Sequence, residues 1–299
     1  MGEWGVRACL ALNHLFPRRP HPFNLALAGD MRYTEWQFQQ AEEVLRRYQR
    51  LLSTSASASS AHTWCRGRRL LDLGCGAGGK SVFLALQGAE VLGVDLAADL
   101  CRQGEELAAT RGVSARCRFQ VGDAAALPFS TASFDIVLAS DVIEHLAQVE
   151  MAVEECWRVL RPGGLLLVDF SPYMHPFGAH LWDAISIPWA HLLFAEDTLV
   201  EAYRRLVRDL PDGPRRLRWR LGEDGRSLTY LNRMSIARWE AVLASSRFHL
   251  VAQQYVPLHR VLRPLAGRLA RRGGKGREAL IKHAVYVCRK DGIDRDGGE

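Results

Sequence analysis

The stretch Leu70-Leu71-Asp72-Leu73-Gly74-Cys75-Gly76-Ala77-Gly78-Gly79 decides the reading of this chain. A buried strand runs into a glycine-rich turn and then into a helix. Glycine is needed where the backbone must take positive φ and approach a ligand with no Cβ in the way. Gly74-x-Gly76-x-x-Gly79 has the spacing of a dinucleotide-binding loop, a weak signal when it stands alone. Asp95 closes the next apolar run and is placed to accept two hydrogen bonds from a ribose diol. That suits a nicotinamide nucleotide or another adenosine cofactor equally well.

On both sides of the loop, short apolar runs alternate with helical stretches, the pattern of βαβ units and a mostly parallel sheet. Strands are expected at Arg69–Leu73, Glu90–Asp95, Arg116–Val121, Phe134–Ala139 and Gly164–Phe170. Two more, His249–Val256 and His283–Arg289, complete seven. Val149–Leu160 is helical in period and ends at Arg161-Pro162-Gly163-Gly164. Upstream, Ala41, Val44, Leu45, Tyr48, Leu51 and Leu52 recur at helical spacing, with Thr34-x-x-Gln37 as a capping box. The expected fold is α/β: a seven-stranded, mostly parallel sheet with helices on both faces and an aromatic-rich helical insertion after the fifth strand. Its parts are residues 1–61, with one helix and a Ser/Ala linker; a core at 62–170; the insertion at 171–248; and two final strands with a basic loop at 249–299. Residues 1–33 show no clear period.

The 299 residues are 48% hydrophobic and 24% charged, which excludes disordered and fibrous classes. The seven cysteines are scattered, odd in number and never spaced C-x-x-C, against a disulfide framework or a zinc finger and for a reducing compartment. No apolar run reaches the ~18 residues of a membrane helix. The opening Met1–Arg7 carries early charge without an apolar core, and Val6 stands where a myristoylation motif has Ser or Thr. A cytoplasmic location without membrane attachment is expected. The net charge of +6 is concentrated late, in the Arg260–Arg277 loop, which reads as a solvated surface more readily than as a nucleic-acid groove.

Three further features separate the cofactors. Asp72 sits in the first strand just before the glycines. Asp123, within Val121-Gly122-Asp123-Ala124-Ala125-Ala126-Leu127-Pro128-Phe129, ends the third strand. Phe134-Asp135-Ile136-Val137 then leads to Glu144-His145, and Leu160-Arg161-Pro162-Gly163-Gly164 follows. In this order the motifs resemble those of the class I S-adenosylmethionine-dependent methyltransferases, the type 11 group around the ubiquinone and menaquinone biosynthetic enzymes. The resemblance runs from Leu70 to Phe170. It implies a Rossmann-like fold with an antiparallel seventh strand and S-adenosyl-L-methionine as cofactor, released as S-adenosyl-L-homocysteine. It implies that Gly74, Gly76 and Gly78 lie against the methionyl part and that Asp95, with Leu96 beside it, holds the ribose hydroxyls. It further implies that Asp123 and Ala124 bind adenine and that Ser140 lines the site near the sulfonium; Asp72, just before the glycines, can face the loop and is expected among the cofactor-binding residues.

An oxygen nucleophile needs its proton removed, which favours a nearby histidine or carboxylate. His145, beside Asp141 and Glu144, is the first candidate base; His175 and His180, flanking Pro176-Phe177-Gly178, are the next. Asp141, Glu144 and His145 are types that ligate a hard cation, yet residues on one turn rarely point together, and no metal is expected. Tyr173, Phe177, Trp182 and Trp189 suit the walls of a planar or apolar acceptor site. His191, among apolar neighbours, reads as a core residue.

The leading function is therefore methyl transfer to an oxygen or nitrogen of a small lipophilic or aromatic acceptor in natural-product biosynthesis, by a monomer or homodimer. Carbon methylation of a quinone-type acceptor is the alternative. An RNA methyltransferase docking through 260–277 lacks a supporting Asn/Asp-Pro-Pro-aromatic motif. A non-catalytic cofactor-binding partner is disfavoured by intact Gly76, Asp95 and Asp123. A nicotinamide oxidoreductase has no use for the third-strand acid.

Overall fold

The computed structural model describes residues 2–16, 31–52, 63–221, 225–228, 231–258 and 278–291. The Ser/Ala linker at 53–61 and the basic loop at 260–277 lie outside these.

Seven strands form one sheet: β1 (Arg69–Leu73), β2 (Glu90–Asp95), β3 (Cys117–Val121), β4 (Phe134–Ser140), β5 (Leu160–Phe170), β6 (Phe248–Pro257) and β7 (Ile281–Lys290). Their order across the sheet is β3-β2-β1-β4-β5-β7-β6. The first five are parallel, and β7 runs antiparallel between β5 and β6. Side chains alternate between the faces of a strand, and the core divides accordingly. Leu70, Ile136, Leu138 and Leu167 pack with Leu45 and Tyr48 of α2 (Arg32–Leu52) and Val82 of α3 (Gly79–Leu86). Leu107 of α4 (Ala98–Thr110) joins the same cluster. Leu71, Val137, Leu166 and Val168 face the other way, against Val153 and Cys156 of α5 (Val149–Val159).

The parallel strands place Asp95, Ser140 and the glycine loop at one carboxyl edge, the usual ligand edge of an open α/β sheet. The Leu160–Gly164 motif serves the opposite edge. It is the irregular first part of β5 rather than a helix-ending turn, because Leu160 pairs with Phe134 before the register shifts. There Arg161 Nη1 meets Asp135 Oδ1 at 2.8 Å, while Asp135 Oδ2 accepts the Arg69 N–H at 2.8 Å.

Two local expectations change. Residues 3–13, read as aperiodic, form α1 (Glu3–Asn13), whose Val6 and Cys9 are buried against the insertion. Thr34 is not an N-cap: α2 already begins at Arg32, and the buried Thr34 hydroxyl donates to Gln103 Oε1 of α4. The Pro211–Pro214 stretch leads into a helix, with Pro tolerated in a first turn. The insertion thus holds α6 (Ala190–Leu193), α7 (Glu196–Val207), α8 (Gly213–Arg220) and α9 (Ile236–Ser245). With α1 it builds a third cluster around Ile185, Leu199 and Tyr203. Asn13 ties the two together, donating from Nδ2 to Ala184 O at 2.8 Å and accepting the Ser186 N–H at 2.7 Å. Among the described residues, no helix is long and apolar enough to cross a membrane.

Candidate active site

A cavity of about 1100 Å³ follows the carboxyl edge, from Asp123 past Asp95, Gly76, Gly74 and Ser140 to the insertion. Gly74 takes φ +64, and a Cβ there would stand 2.2 Å from Val142 Cγ2, so only glycine lets the β1 turn pass under the β4 loop. The Gly76 N–H donates to Asp95 Oδ2 and the Ala97 N–H to Asp95 Oδ1, each at 2.9 Å. A carboxylate oxygen has a second lone pair, so Asp95 can still take two hydroxyl protons from the cavity side. Burial pushes its pKa up, and the amides of Ala97, Gly76 and Leu96 oppose that shift. Asp123 accepts the Ala125 N–H at 2.9 Å and is open to the cavity beside Ala124, with Leu96 at the rim. This donor set fits an adenosine cofactor: two acids on adjacent strand ends and a glycine cradle.

Asp72 and Gly78 stand behind the wall rather than in it. The Asp72 carboxylate is buried and receives the Ser81 hydroxyl at 2.5 Å. Gly78, at φ +77, is pressed against Phe119, whose ring would lie 2.4 Å from a Cβ. Both shape the loop from its far side. Lys80 is a wall residue that sequence reading passed over: it is buried, and its Nζ donates to Ser140 O at 2.9 Å. From α2, Gln37 covers the loop, donating to the Tyr33 hydroxyl at 3.0 Å and accepting the Gly79 N–H at 3.4 Å.

The β4–β5–β7 half of the cavity carries the histidines. His145 and His180 face each other with ring centroids 5.2 Å apart, and Phe177 and Trp182 continue the wall. Asp141 and His180 both adopt positive φ, +55 and +51, costly for residues with a Cβ and common at functional sites. His175 also lines the cavity, but burial and the nearby Lys282 charge hold its pKa down to about 4, and its Nδ1 accepts the Phe177 N–H at 3.2 Å. Its proton affinity is too low for a base working near neutrality.

Tyr173 and Trp189 are not wall residues. Tyr173 packs on His191 at 4.7 Å between centroids, beside Arg233, and Trp189 turns at φ +56 with its N–H bonded to Pro176 O. His191 packs in that group, its pKa lowered by burial.

Behind the histidines lies a buried set brought together from three elements. Asp169, 0% exposed at the end of β5, accepts the Tyr48 hydroxyl at 2.7 Å and faces Arg47 Nη1 at 3.4 Å. His283 Nδ1 lies 4.0 Å from Asp169 and 3.9 Å from Asp141. Asp141, Asp169 and His283 could ligate a cation, but the Arg47 guanidinium already stands on Asp169. Asp141, Glu144 and His145 do not form such a group among the described residues.

Residues 71–168 match the family described as "Methyltransferase domain". The chain is similar to the chloroplastic tocopherol O-methyltransferase of Arabidopsis thaliana, 35% identical over 34% of this chain and 29% of the relative. It is also similar to the ubiquinone/menaquinone biosynthesis C-methyltransferase UbiE of Cereibacter sphaeroides, 34% identical over 50% of this chain and 61% of that protein. The chain thus spans less than two thirds of either relative. Among solved structures, the [4+2]-cyclase SpnF aligns over 83% of this chain and 81% of its own, with a TM-score of 0.51 and 20% identity. That likeness concerns the fold alone. The family match covers the strands that build the glycine loop and both acids, and residues 71–168 are therefore a class I S-adenosylmethionine-dependent methyltransferase domain.

Proposed function

We propose that the chain transfers a methyl group from S-adenosyl-L-methionine to an oxygen or nitrogen of a small lipophilic or aromatic acceptor, in the biosynthesis of a natural product. One observation carries this reading: the cavity continues without a break from Asp123 and Asp95 to Phe177, His180 and Trp182 of the insertion. When bound, the cofactor supplies a methyl group on an electrophilic sulfonium.

Asp95 takes the ribose hydroxyls, Asp123 and Ala124 hold the adenine, and Gly74, Gly76, Leu96 and Ser140 line the rest. Asp72 and Gly78 keep that loop in shape. Phe177 and Trp182 press the acceptor between apolar walls and exclude water. Holding two reacting atoms in line supplies much of the acceleration a displacement needs. His145, supported by His180, takes the acceptor's proton; His175 holds the insertion's turn, its Nδ1 already accepting the Phe177 N–H.

The protein acts in the cytoplasm as a monomer or homodimer. Carbon methylation of a quinone-type acceptor is a second reading, favoured by the match over half of this chain to a ubiquinone/menaquinone biosynthesis C-methyltransferase. The test is calorimetry with S-adenosylhomocysteine and with NADH at two salt concentrations, followed by transfer of a labelled methyl group to lipophilic acceptors and to RNA. Stoichiometric binding of S-adenosylhomocysteine alone and label on a small acceptor are expected. Binding of NADH instead, or label on RNA with steep salt dependence, would defeat the reading.

A further inference from the structure

Among the described residues, four cations line the cavity: Arg47, Lys80, Arg220 and Lys282. Three are engaged within the fold: Arg47 lies 3.4 Å from Asp169, Lys80 Nζ donates to Ser140 O at 2.9 Å, and Arg220 lies 3.6 Å from Asp183. Lys282, near the start of β7, is exposed, and its ammonium has no ion pair or hydrogen bond among the described residues. It is nonetheless held at the acceptor half rather than on open surface. Its carbonyl accepts the hydroxyl of Ser171, another cavity residue just past the end of β5, at 3.1 Å.

His175 supplies a second donor beside it. Its Nδ1 accepts the Phe177 N–H, so the ring proton sits on Nε2, and that N–H has no partner among the described residues. The ring is held by its own turn: the His175 N–H donates to Pro172 O at 2.9 Å and the Gly178 N–H to His175 O at 2.8 Å. Lys282 is near enough for its charge to oppose protonation of both His175 and His283. The acids of this half leave the ammonium unpaired, since Asp169 is offset by Arg47 and burial keeps Glu144 neutral. A free ammonium next to a neutral N–H donor matches an anion with two oxygens, one taking the charge and one the hydrogen bond.

Resting on the methyltransferase reading above, we propose that Lys282 and the His175 Nε2–H anchor a carboxylate of the acceptor, so that the acceptor class is a lipophilic or aromatic carboxylic acid. The carboxylate is the handle and not the methylated group, because it has no proton for His145 to take. Phe177 and Trp182 bear on the apolar body of the same molecule. Fixing one end at the β5–β7 side sets which atom meets the methyl donor, and such orientation lowers the barrier of a displacement.

The test uses the full chain saturated with S-adenosylhomocysteine and two probes of nearly equal shape: indole-3-acetate, anionic at neutral pH, and the uncharged indole-3-acetamide. By calorimetry the wild type is expected to bind the acetate at least about tenfold more tightly, the worth of one hydrogen bond to a charged group. Lys282→Met, which keeps an apolar stem of similar length, is expected to abolish the preference, and Lys282→Arg to retain it. His175→Phe, which removes the second donor, is expected to weaken acetate binding several-fold. Equal affinities in the wild type, a preference that survives Lys282→Met, unchanged acetate affinity in His175→Phe, or binding of neither probe would overturn the assignment. S-adenosylhomocysteine affinity is expected to hold in every variant, which also reports an intact fold. Its loss in Lys282→Met or His175→Phe would assign these donors to the cofactor's own carboxylate and overturn the proposal. Absence of S-adenosylhomocysteine binding to the wild type would bring down the methyltransferase reading as well; binding without carboxylate preference would bring down this inference alone.

Discussion

The two halves of the ligand edge satisfy their polar groups in different ways. In the β1–β3 half the acids are held by amides of nearby or neighbouring-strand backbone: Asp95 by Gly76 and Ala97, Asp123 by Ala125. In the β4–β5–β7 half the partners arrive from far along the chain. Tyr48 and Arg47 reach Asp169, Asn232 staples the turn before α5, and His180 comes from the insertion to His145. Among the cavity-lining acids and histidines it also keeps buried atoms without partners, on Glu144 and on His283 Nδ1, whereas in the other half the unpartnered Asp72 Oδ1 lies behind the loop. A half whose carboxylates are already oriented by backbone is prepared for one common ligand. A half with unpaired groups is prepared for a ligand peculiar to this chain.

If the halves are chemically separate, substitutions should divide cleanly between turnover and cofactor affinity. The largest effect is expected at His145. Removing a general base typically costs about 10²–10⁴-fold in rate, so His145→Ala should lose at least about a hundredfold in turnover while S-adenosylhomocysteine affinity stays unchanged. Single-turnover methyl transfer and calorimetry on the same preparation check this; unchanged turnover would return His145 to a structural role. The reverse pattern is expected at Asp95. Losing hydrogen bonds to a charged group costs about 1.5–3 kcal/mol each, so Asp95→Ala should weaken S-adenosylhomocysteine binding by at least about tenfold. Calorimetry showing equal affinity would remove Asp95 from the ribose site.

This division also explains what could be read from the amino acids alone. Asp95, Asp123 and the glycines announce themselves because strand, turn and acid are contiguous in sequence, and helices separate β1 from β2, β2 from β3 and β4 from β5. Asp169, Tyr48, Arg47 and His283 gave no signal, since a fully buried Asp between a Val and a Phe has no local pattern and its partners lie on α2 and β7. Tyr173 and Trp189 were drawn toward the cavity by their aromatic neighbourhood, yet composition does not say which way a loop side chain points. Helix α1 was missed for a similar reason: its buried stripe is narrow, and the surface it packs on is the insertion. Arg161 and Asp135 show the converse, motif residues whose task is an ion pair at the sheet edge away from the cavity.

A smaller effect tests whether the acceptor half is positioned from a distance. Asn232→Ala removes two side-chain hydrogen bonds that hold the Ile143–Leu146 turn. At about 0.5–1.5 kcal/mol for each bond, it should lower stability by roughly 1–3 kcal/mol. It should also raise KM for the acceptor while cofactor affinity holds. Denaturant melts and a KM-against-kcat split measure both; a matching loss of S-adenosylhomocysteine affinity would mean the halves are coupled.

The smallest effect is graded with pH and again belongs to one half, since the four cavity histidines, His145, His175, His180 and His283, all lie there. In an unfolded chain an imidazole takes its proton near pH ~6.5. In the fold, burial and the charges of Arg47 and Lys282 hold His283 down to about 3, and burial and Lys282 hold His175 down to about 4. Between those values and about 6.5 the unfolded chain binds more protons than the folded one. The stabilisation is therefore complete above pH ~6.5 and is lost as pH falls, by at most ~1.4 kcal/mol per pH unit for each histidine. Urea midpoints should decline from pH 7 to pH 5, and His283→Asn should shallow that decline by one proton's share. A slope unchanged in His283→Asn would place the acid sensitivity outside this group and remove the electrostatic contrast between the halves.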